Sequence, residues 1–218
     1  MANSKLFAQS ASDFRQDFNR FWGEYFKQEG DYLGSMTPAS LIRLKRVFSS
    51  INGIVTMLTE MEFINMMCRE KVINADCAKV MKDHVLNSSP FTNGFDLRDD
   101  DAKIIAEVKC NFPVGNKTFG AAQINAIKKD LLGLHDPSNF KKKEDNLPED
   151  TRKFMVLLRE EDDNSFNDAV NDLLRQSKKI PNLKLEVFKG VPKQWDYDTI
   201  YLVIVPLESL DLSLINNL

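Results

Sequence analysis

Two acidic side chains and a lysine stand out near the middle of this 218-residue chain. The run from Lys103 to Cys110 (Lys-Ile-Ile-Ala-Glu-Val-Lys-Cys) is strongly apolar and predicts a buried β-strand. Because side chains alternate across a strand, Glu107 and Lys109 share one face with Ile105, while the other face is wholly apolar. The alternation therefore predicts an acid and a base side by side against a hydrophobic core.

A second acid, Asp96, lies upstream of this strand, and the residues between them predict a β-hairpin. With the turn centred on the last two of three consecutive aspartates, Asp96 pairs with Ile105. Asp96 is then the diagonal neighbour of Glu107 on the same face, with β-carbons roughly 7 Å apart. In another register the first acid would be Asp99 or Asp101.

Two carboxylates at this spacing suit a divalent cation. Mg²⁺ takes oxygen ligands, keeps several waters and is often bound by one or two carboxylates together with a substrate phosphate. We expect Asp96 and Glu107 to be its ligands, with the backbone carbonyl of Val108 as a third. Lys109 would orient and polarise the attacking water and offset charge on the phosphate. These are the groups that phosphodiester hydrolysis requires.

The arrangement resembles the PD-(D/E)XK nuclease superfamily, which includes many restriction and DNA-repair endonucleases. The matching residues are Asp96 for the first acid, Glu107 for the second and Lys109 for the lysine, within residues 94–134. The family often carries a polar residue, commonly glutamine, on the helix after the hairpin, and Gln123 matches that position.

One departure from the motif and one open choice accompany the resemblance. Phe95 stands where the motif has proline, a position at which the family frequently varies. Some members add an acid from a helix before the hairpin, and Glu60, Glu62 and Glu70 are the possible residues.

The resemblance implies a restriction-endonuclease-like core and an enzyme that cuts DNA with Mg²⁺, for which Mn²⁺ is a possible substitute. A restriction-type role is the first expectation within the superfamily. Symmetric cutting of a duplex needs two active sites, so we expect a homodimer, with the apolar N-terminal helices as its interface.

The distribution of charge is more informative than its sum. The net charge is −3, which by itself argues against a nucleic-acid partner. Between residues 103 and 143, however, eight lysines accompany three acids. We expect six of these lysines to contact backbone phosphates: Lys117, Lys128, Lys129, Lys141, Lys142 and Lys143.

The elements that would position these groups fall into two regions. Residues 1–88 show helical periodicity and predict a helical N-terminal region. Residues 89–218 predict the order β-β-α-β-α-β-β, an α/β catalytic region with a mixed β-sheet flanked by helices. Two other functions remain open: a non-catalytic protein whose helical region binds a partner, and a nuclease that acts on RNA or single-stranded DNA.

Several other classes of protein are disfavoured by composition. Three cysteines without a Cys-x-x-Cys motif indicate neither a zinc ribbon nor a redox dithiol. With only His84 and His135, a His-metal nuclease and a Ser-His-Asp triad are unlikely choices of chemistry. We find no apolar run of signal-peptide or transmembrane length, so we expect a cytoplasmic protein.

Overall fold

The computed structural model describes residues 2–87, 94–110, 119–139, 147–160 and 164–217. Its helices are α1 (Ala2–Phe26), α2 (Pro38–Arg69), α3 (Ala75–Asn87), α4 (Ala121–His135) and α5 (Asn164–Ser177). Its strands are β1 (Leu97–Asp99), β2 (Ile104–Lys109), β3 (Arg152–Arg159), β4 (Lys184–Val187) and β5 (Thr199–Pro206). Short 3₁₀ turns cover Pro137–Asn139, Leu207–Ser209 and Leu212–Asn217.

By internal contacts the chain divides into two compact units, residues 1–51 and 52–218. The predicted boundary between residues 88 and 89 falls outside the described residues and stays a prediction. Among the described helices, none combines the length and apolarity needed to cross a bilayer.

The first unit contains α1 and the beginning of α2. Along α1, aromatic side chains repeat at helical spacing and touch one another, as between the rings of Phe18 and Trp22, whose centroids are 6.0 Å apart. The loop after α1 returns to that helix, because the carboxylate of Asp31 accepts hydrogen bonds from Arg15 and Asn19.

The second unit is an α/β structure with a mixed five-stranded sheet, as predicted. The strand order is β1-β2-β3-β5-β4. β1 and β2 form an antiparallel hairpin, whereas β2, β3, β5 and β4 run parallel to their neighbours. The order of elements along the chain, β-β-α-β-α-β-β, also matches the prediction.

Helices cover both faces of the sheet, which explains why its central strands β2, β3 and β5 are largely apolar on both sides. On one face Phe154, Val156 and Leu158 of β3 pack with residues of α2 and α3. On the other face Met155 and Leu157 pack with α4 and α5. β2 alternates in the predicted way, with Ile104, Ala106 and Val108 on the α2/α3 face and Ile105 on the α4/α5 face.

The predicted hairpin register is wrong. Ile105 is opposite Arg98 instead of Asp96, Leu97 is opposite Ala106, and Asp99 is opposite Ile104. The loop has four residues because Lys103 adopts a left-handed φ of 52° and the carboxylate of Asp99 accepts a hydrogen bond from the Ala102 amide at 2.6 Å. Continued by one residue, the observed register brings position 96 directly opposite position 107 rather than diagonal to it.

Candidate active site

The site begins where β2 runs past the end of its hairpin partner. β1 starts at Leu97, opposite Ala106, so the last three residues of β2 extend beyond it. There the amide of Val108 donates a hydrogen bond to Oδ2 of Asp96 at 2.8 Å. The carboxylate of Asp96 therefore takes the place of a strand acceptor and is fixed beside Glu107 and Lys109.

The ammonium of Lys109 is the meeting point of the predicted catalytic residues. Its Nζ lies 3.6 Å from Oε2 of Glu107 and 4.0 Å from Oδ2 of Asp96. The Glu107 side chain is only 4% exposed, whereas those of Lys109 and Asp96 are 21% and 31% exposed. The three residues selected from the sequence thus converge at one partly open point.

The closest partner of Lys109 is a residue that the sequence reasoning did not assign to the site. Oδ2 of Asp130, on α4, lies 2.9 Å from the Lys109 Nζ. Asp130 follows the buried Ile127 by three residues and precedes the buried Leu134 by four. That spacing puts Asp130 on the sheet-facing side of α4. The helical periodicity of the sequence could therefore have indicated this position.

The three possible upstream acids, on α2 and directly after it, have different surroundings. Burial, and then the negative charge of Asp96, raise the pKa of Glu60 to about 8. Glu62 instead accepts hydrogen bonds from Arg69 and Asn65. Glu70 is exposed after the end of α2. The link between Glu60 and the predicted site is therefore electrostatic, and a role for Glu60 in that site stays a prediction.

Glu107 is a buried acid without enough partners for a negative charge. Burial, and then the carboxylate of Asp96, raise its pKa far above the ordinary range, against the opposing effect of Lys109. Its Oε1 atom is buried and accepts no hydrogen bond. Burial disfavours the charged form of Lys109, but the carboxylates of Asp96 and Asp130 outweigh it and raise the pKa of that lysine.

The alternative first acids are Asp99, the last residue of β1, and Asp101 in the hairpin loop. The carboxylate of Asp99 is buried and bonded to the Ala102 amide. Asp99 pairs with Ile104, and its side chain lies on the same face of the sheet as that of Leu97. Glu107 lies on the other face. Asp101 is exposed in the turn.

The remaining predicted residues have less direct relations to the site. The amide of Val108 bonds to Asp96, and the ligand role of its carbonyl stays a prediction. The side-chain oxygen of Gln123 accepts a hydrogen bond from the Gly120 amide at 2.9 Å, at the start of α4, and its support of the site stays a prediction. On α4, Lys128 is half-buried and Lys129 is exposed. The other predicted phosphate contacts lie outside the described residues: Lys117, Lys141, Lys142 and Lys143.

The residues present fit a hard divalent cation of the Mg²⁺ type. The buried Oε1 of Glu107 has no hydrogen-bond partner, and the ammonium of Lys109 lies close to three carboxylates. Over the described parts of the chain, no group of three or more His, Cys, Asp or Glu side chains forms a ready-made metal site. Asp96 and Glu107 would therefore hold the cation as a pair, with water and phosphate oxygens completing its shell.

Comparisons with known protein families, with curated proteins and with solved structures find no match to this chain. The geometry of the site is therefore the basis for a proposal about function.

Proposed function

We propose that this protein is a Mg²⁺-dependent endonuclease that hydrolyses DNA phosphodiester bonds, of the restriction type. The observation that carries the proposal is the convergence of Asp96, Glu107 and Lys109 at the open end of β2, with the buried Oε1 of Glu107 unpartnered. A salt bridge formed for stability alone would have little reason to bury an oxygen that lacks a partner.

The fold is consistent with a restriction-endonuclease-like core, which is part of the proposal. The acids and the lysine come from a hairpin at one side of a mixed sheet, and α4 follows that hairpin and packs on the sheet face that carries Glu107. This is the arrangement that the sequence resemblance implies.

The chain's own residues have distinct tasks in the proposed reaction. Asp96 and Glu107 would hold the cation, which would supply a Lewis acid for activating water and stabilising the leaving oxygen. Because nearby carboxylates raise the pKa of Lys109, this side chain stays an ammonium and donates hydrogen bonds to the attacking water and the phosphate. In the net reaction, a water oxygen bonds to phosphorus, the phosphorus–oxygen ester bond breaks, and the departing oxygen gains a proton.

Lysines on α4 support a nucleic-acid substrate. Lys128 and Lys129 lie on α4, the helix that also carries Asp130, and we expect them to contact backbone phosphates. Lysines that neutralise phosphates release counterions, and we expect DNA binding to weaken steeply with salt.

The test is cleavage of supercoiled plasmid DNA by the purified chain. We expect nicking or cutting with Mg²⁺ or Mn²⁺ and none with EDTA. Lys109→Met should lower the rate by about 100-fold or more, the range for loss of a group that assists proton transfer. Lys79→Met is the matched control, because Lys79 is an exposed lysine on α3, on the opposite face of the sheet.

Three outcomes would contradict the proposal in different ways. Unchanged cutting by the Lys109 variant would show that the site is assigned wrongly. Preferential cleavage of matched RNA or single-stranded DNA would replace duplex DNA as the substrate. Absence of both cleavage and Mn²⁺ affinity would favour the non-catalytic interaction protein.

A further inference from the structure

The ammonium of Lys109 lies close to carboxylates from two separate elements, the hairpin and α4. Asp96 and Glu107 belong to the hairpin and are the proposed cation ligands. Asp130 belongs to α4 and makes the shortest contact with the Lys109 ammonium, at 2.9 Å against 3.6 Å for Glu107 and 4.0 Å for Asp96. The position of the ammonium between these groups has a consequence for cation binding.

An ammonium close to Asp96 and Glu107 competes with a divalent cation for the same oxygens. Two positive charges within a few ångströms repel each other strongly when water is largely excluded, as it is around the buried Glu107. A divalent cation should therefore bind more tightly if the ammonium has another anion to pair with. The unpartnered Oε1 of Glu107 indicates that Lys109 alone does not satisfy the cluster.

We propose that Asp130 is a positioning residue that draws the Lys109 ammonium aside and so opens the Asp96–Glu107 pair to a divalent cation. This inference rests on the proposed function, because it assumes the cation site. When the cation is bound, Lys109 pairs with Asp130 and keeps its place next to the attacking water. Without Asp130, the ammonium remains on Asp96 and Glu107 and weakens binding of the cation.

The packing of α4 makes Asp130 suited to this task. The flanking helix residues Ile127, Leu131 and Leu134 are completely buried against the sheet, so the backbone that carries Asp130 is held in place. The Asp130 side chain is 15% exposed, and its ion pair with Lys109 is less screened by water than a surface pair.

Binding of Mn²⁺ to the full-length chain, measured by isothermal titration calorimetry without DNA, tests the inference. The proteins are wild type, Asp130→Asn, Lys109→Met and the double variant. We expect Asp130→Asn to weaken Mn²⁺ binding about tenfold when Lys109 is present, and by less than about threefold in the Lys109→Met background. The difference arises because only the first background contains the competing ammonium.

Further variants separate positioning from simple charge and from folding. Asp130→Glu should retain most of the Mn²⁺ affinity, because it keeps an anion within reach of Lys109. Asp130→Ser provides a second neutral replacement if the asparagine variant folds poorly, and thermal melts verify folding of each protein. Asp136→Asn is the control, because Asp136 is exposed after α4 and bonds to Ser138.

The outcomes distinguish this inference from the function on which it rests. Equal losses of affinity in the two backgrounds would mean that Asp130 adds only negative charge, so the positioning role would be wrong while the cation site stands. No Mn²⁺ binding by the wild-type protein would overturn the cation site itself, and the inference with it.

Discussion

Two glutamates in this molecule, Glu60 and Glu107, are buried beside another carboxylate and resist losing a proton. For Glu60, burial and then Asp96 raise the pKa to about 8, compared with about 4.5 in an unfolded chain. Between these two pKa values the folded protein binds more protons than the unfolded one. The contribution of Glu60 to stability is therefore present below about pH 4.5 and is lost as the pH rises towards 8.

We predict that Glu60→Gln removes much of this loss, since glutamine does not ionise. In EDTA, the variant should gain stability relative to wild type as the pH rises from 5 to 8, by up to a few kcal/mol at about 1.4 kcal/mol per pKa unit. Thermal melts across this pH range measure the effect. Glu70→Gln is the control, because Glu70 is exposed at the end of the same helix. Parallel pH profiles for wild type and Glu60→Gln would contradict the prediction.

At the scale of the element, the hairpin gives different surroundings to Asp96 and Asp99, two of the aspartates that the sequence offers as the first acid of the site. Asp96 lies beyond the end of β1 and bonds to the Val108 amide beside the Lys109 ammonium. Asp99 lies at the start of the loop and bonds to the Ala102 amide. One carboxylate therefore lies beside the Lys109 ammonium, and the other stabilises the turn.

We predict that the two alanine variants affect different properties, stability in one case and cleavage in the other. Asp99→Ala should lower the free energy of unfolding by about 1 kcal/mol, the usual net value of a turn hydrogen bond, and leave the cleavage rate within a few-fold of wild type. Asp96→Ala should abolish Mg²⁺-dependent cleavage. Urea melts and plasmid assays of both proteins provide the measurements, with Asp101→Ala as an exposed control in the same turn. The reverse pattern would make Asp99 the first acid.

Strand periodicity explains why much of the hairpin was predictable. The alternation along β2 is a local property of the chain, and it correctly assigned Ile105 to one face and Ile104, Ala106 and Val108 to the other. The register was not predictable in this way. It depends on the left-handed conformation of Lys103 and on the Asp99 hydrogen bond, which stabilise a four-residue loop. The three consecutive aspartates do not by themselves predict that loop length.

For the molecule as a whole, the aromatic face of α1 bears on the expected homodimer. Large side chains on this helix remain exposed, among them Phe21 at 57% and Tyr25 at 69%. Contiguous apolar surface of this kind is typical of protein–protein contacts. Two active sites are also needed to cut both strands of a duplex, so we propose that α1 contacts a second copy of the chain.

We predict that the wild-type chain sediments at twice the mass of one chain and that Phe21→Ser combined with Tyr25→Ser shifts it to the single-chain mass. Both residues are exposed, so the substitutions should leave the fold intact. Sedimentation equilibrium at several concentrations measures the change, and Lys27→Ser at the end of α1 is the control. A single-chain mass for the wild type at every concentration, or an unchanged dimer in the variant, would contradict this prediction.

The sequence by itself determined the order of elements, the two-sided burial of the sheet and the three residues that meet at the end of β2. These features depend on periodicity and on neighbours within one hairpin, so they can be inferred from adjacent residues. Only the tertiary structure decided the hairpin register, the different surroundings of Glu60, Glu62 and Glu70, and the contact between Asp130 and Lys109. Those outcomes depend on how α2 and α4 pack on the sheet, because side chains far apart in sequence come within a few ångströms only when their helices are docked.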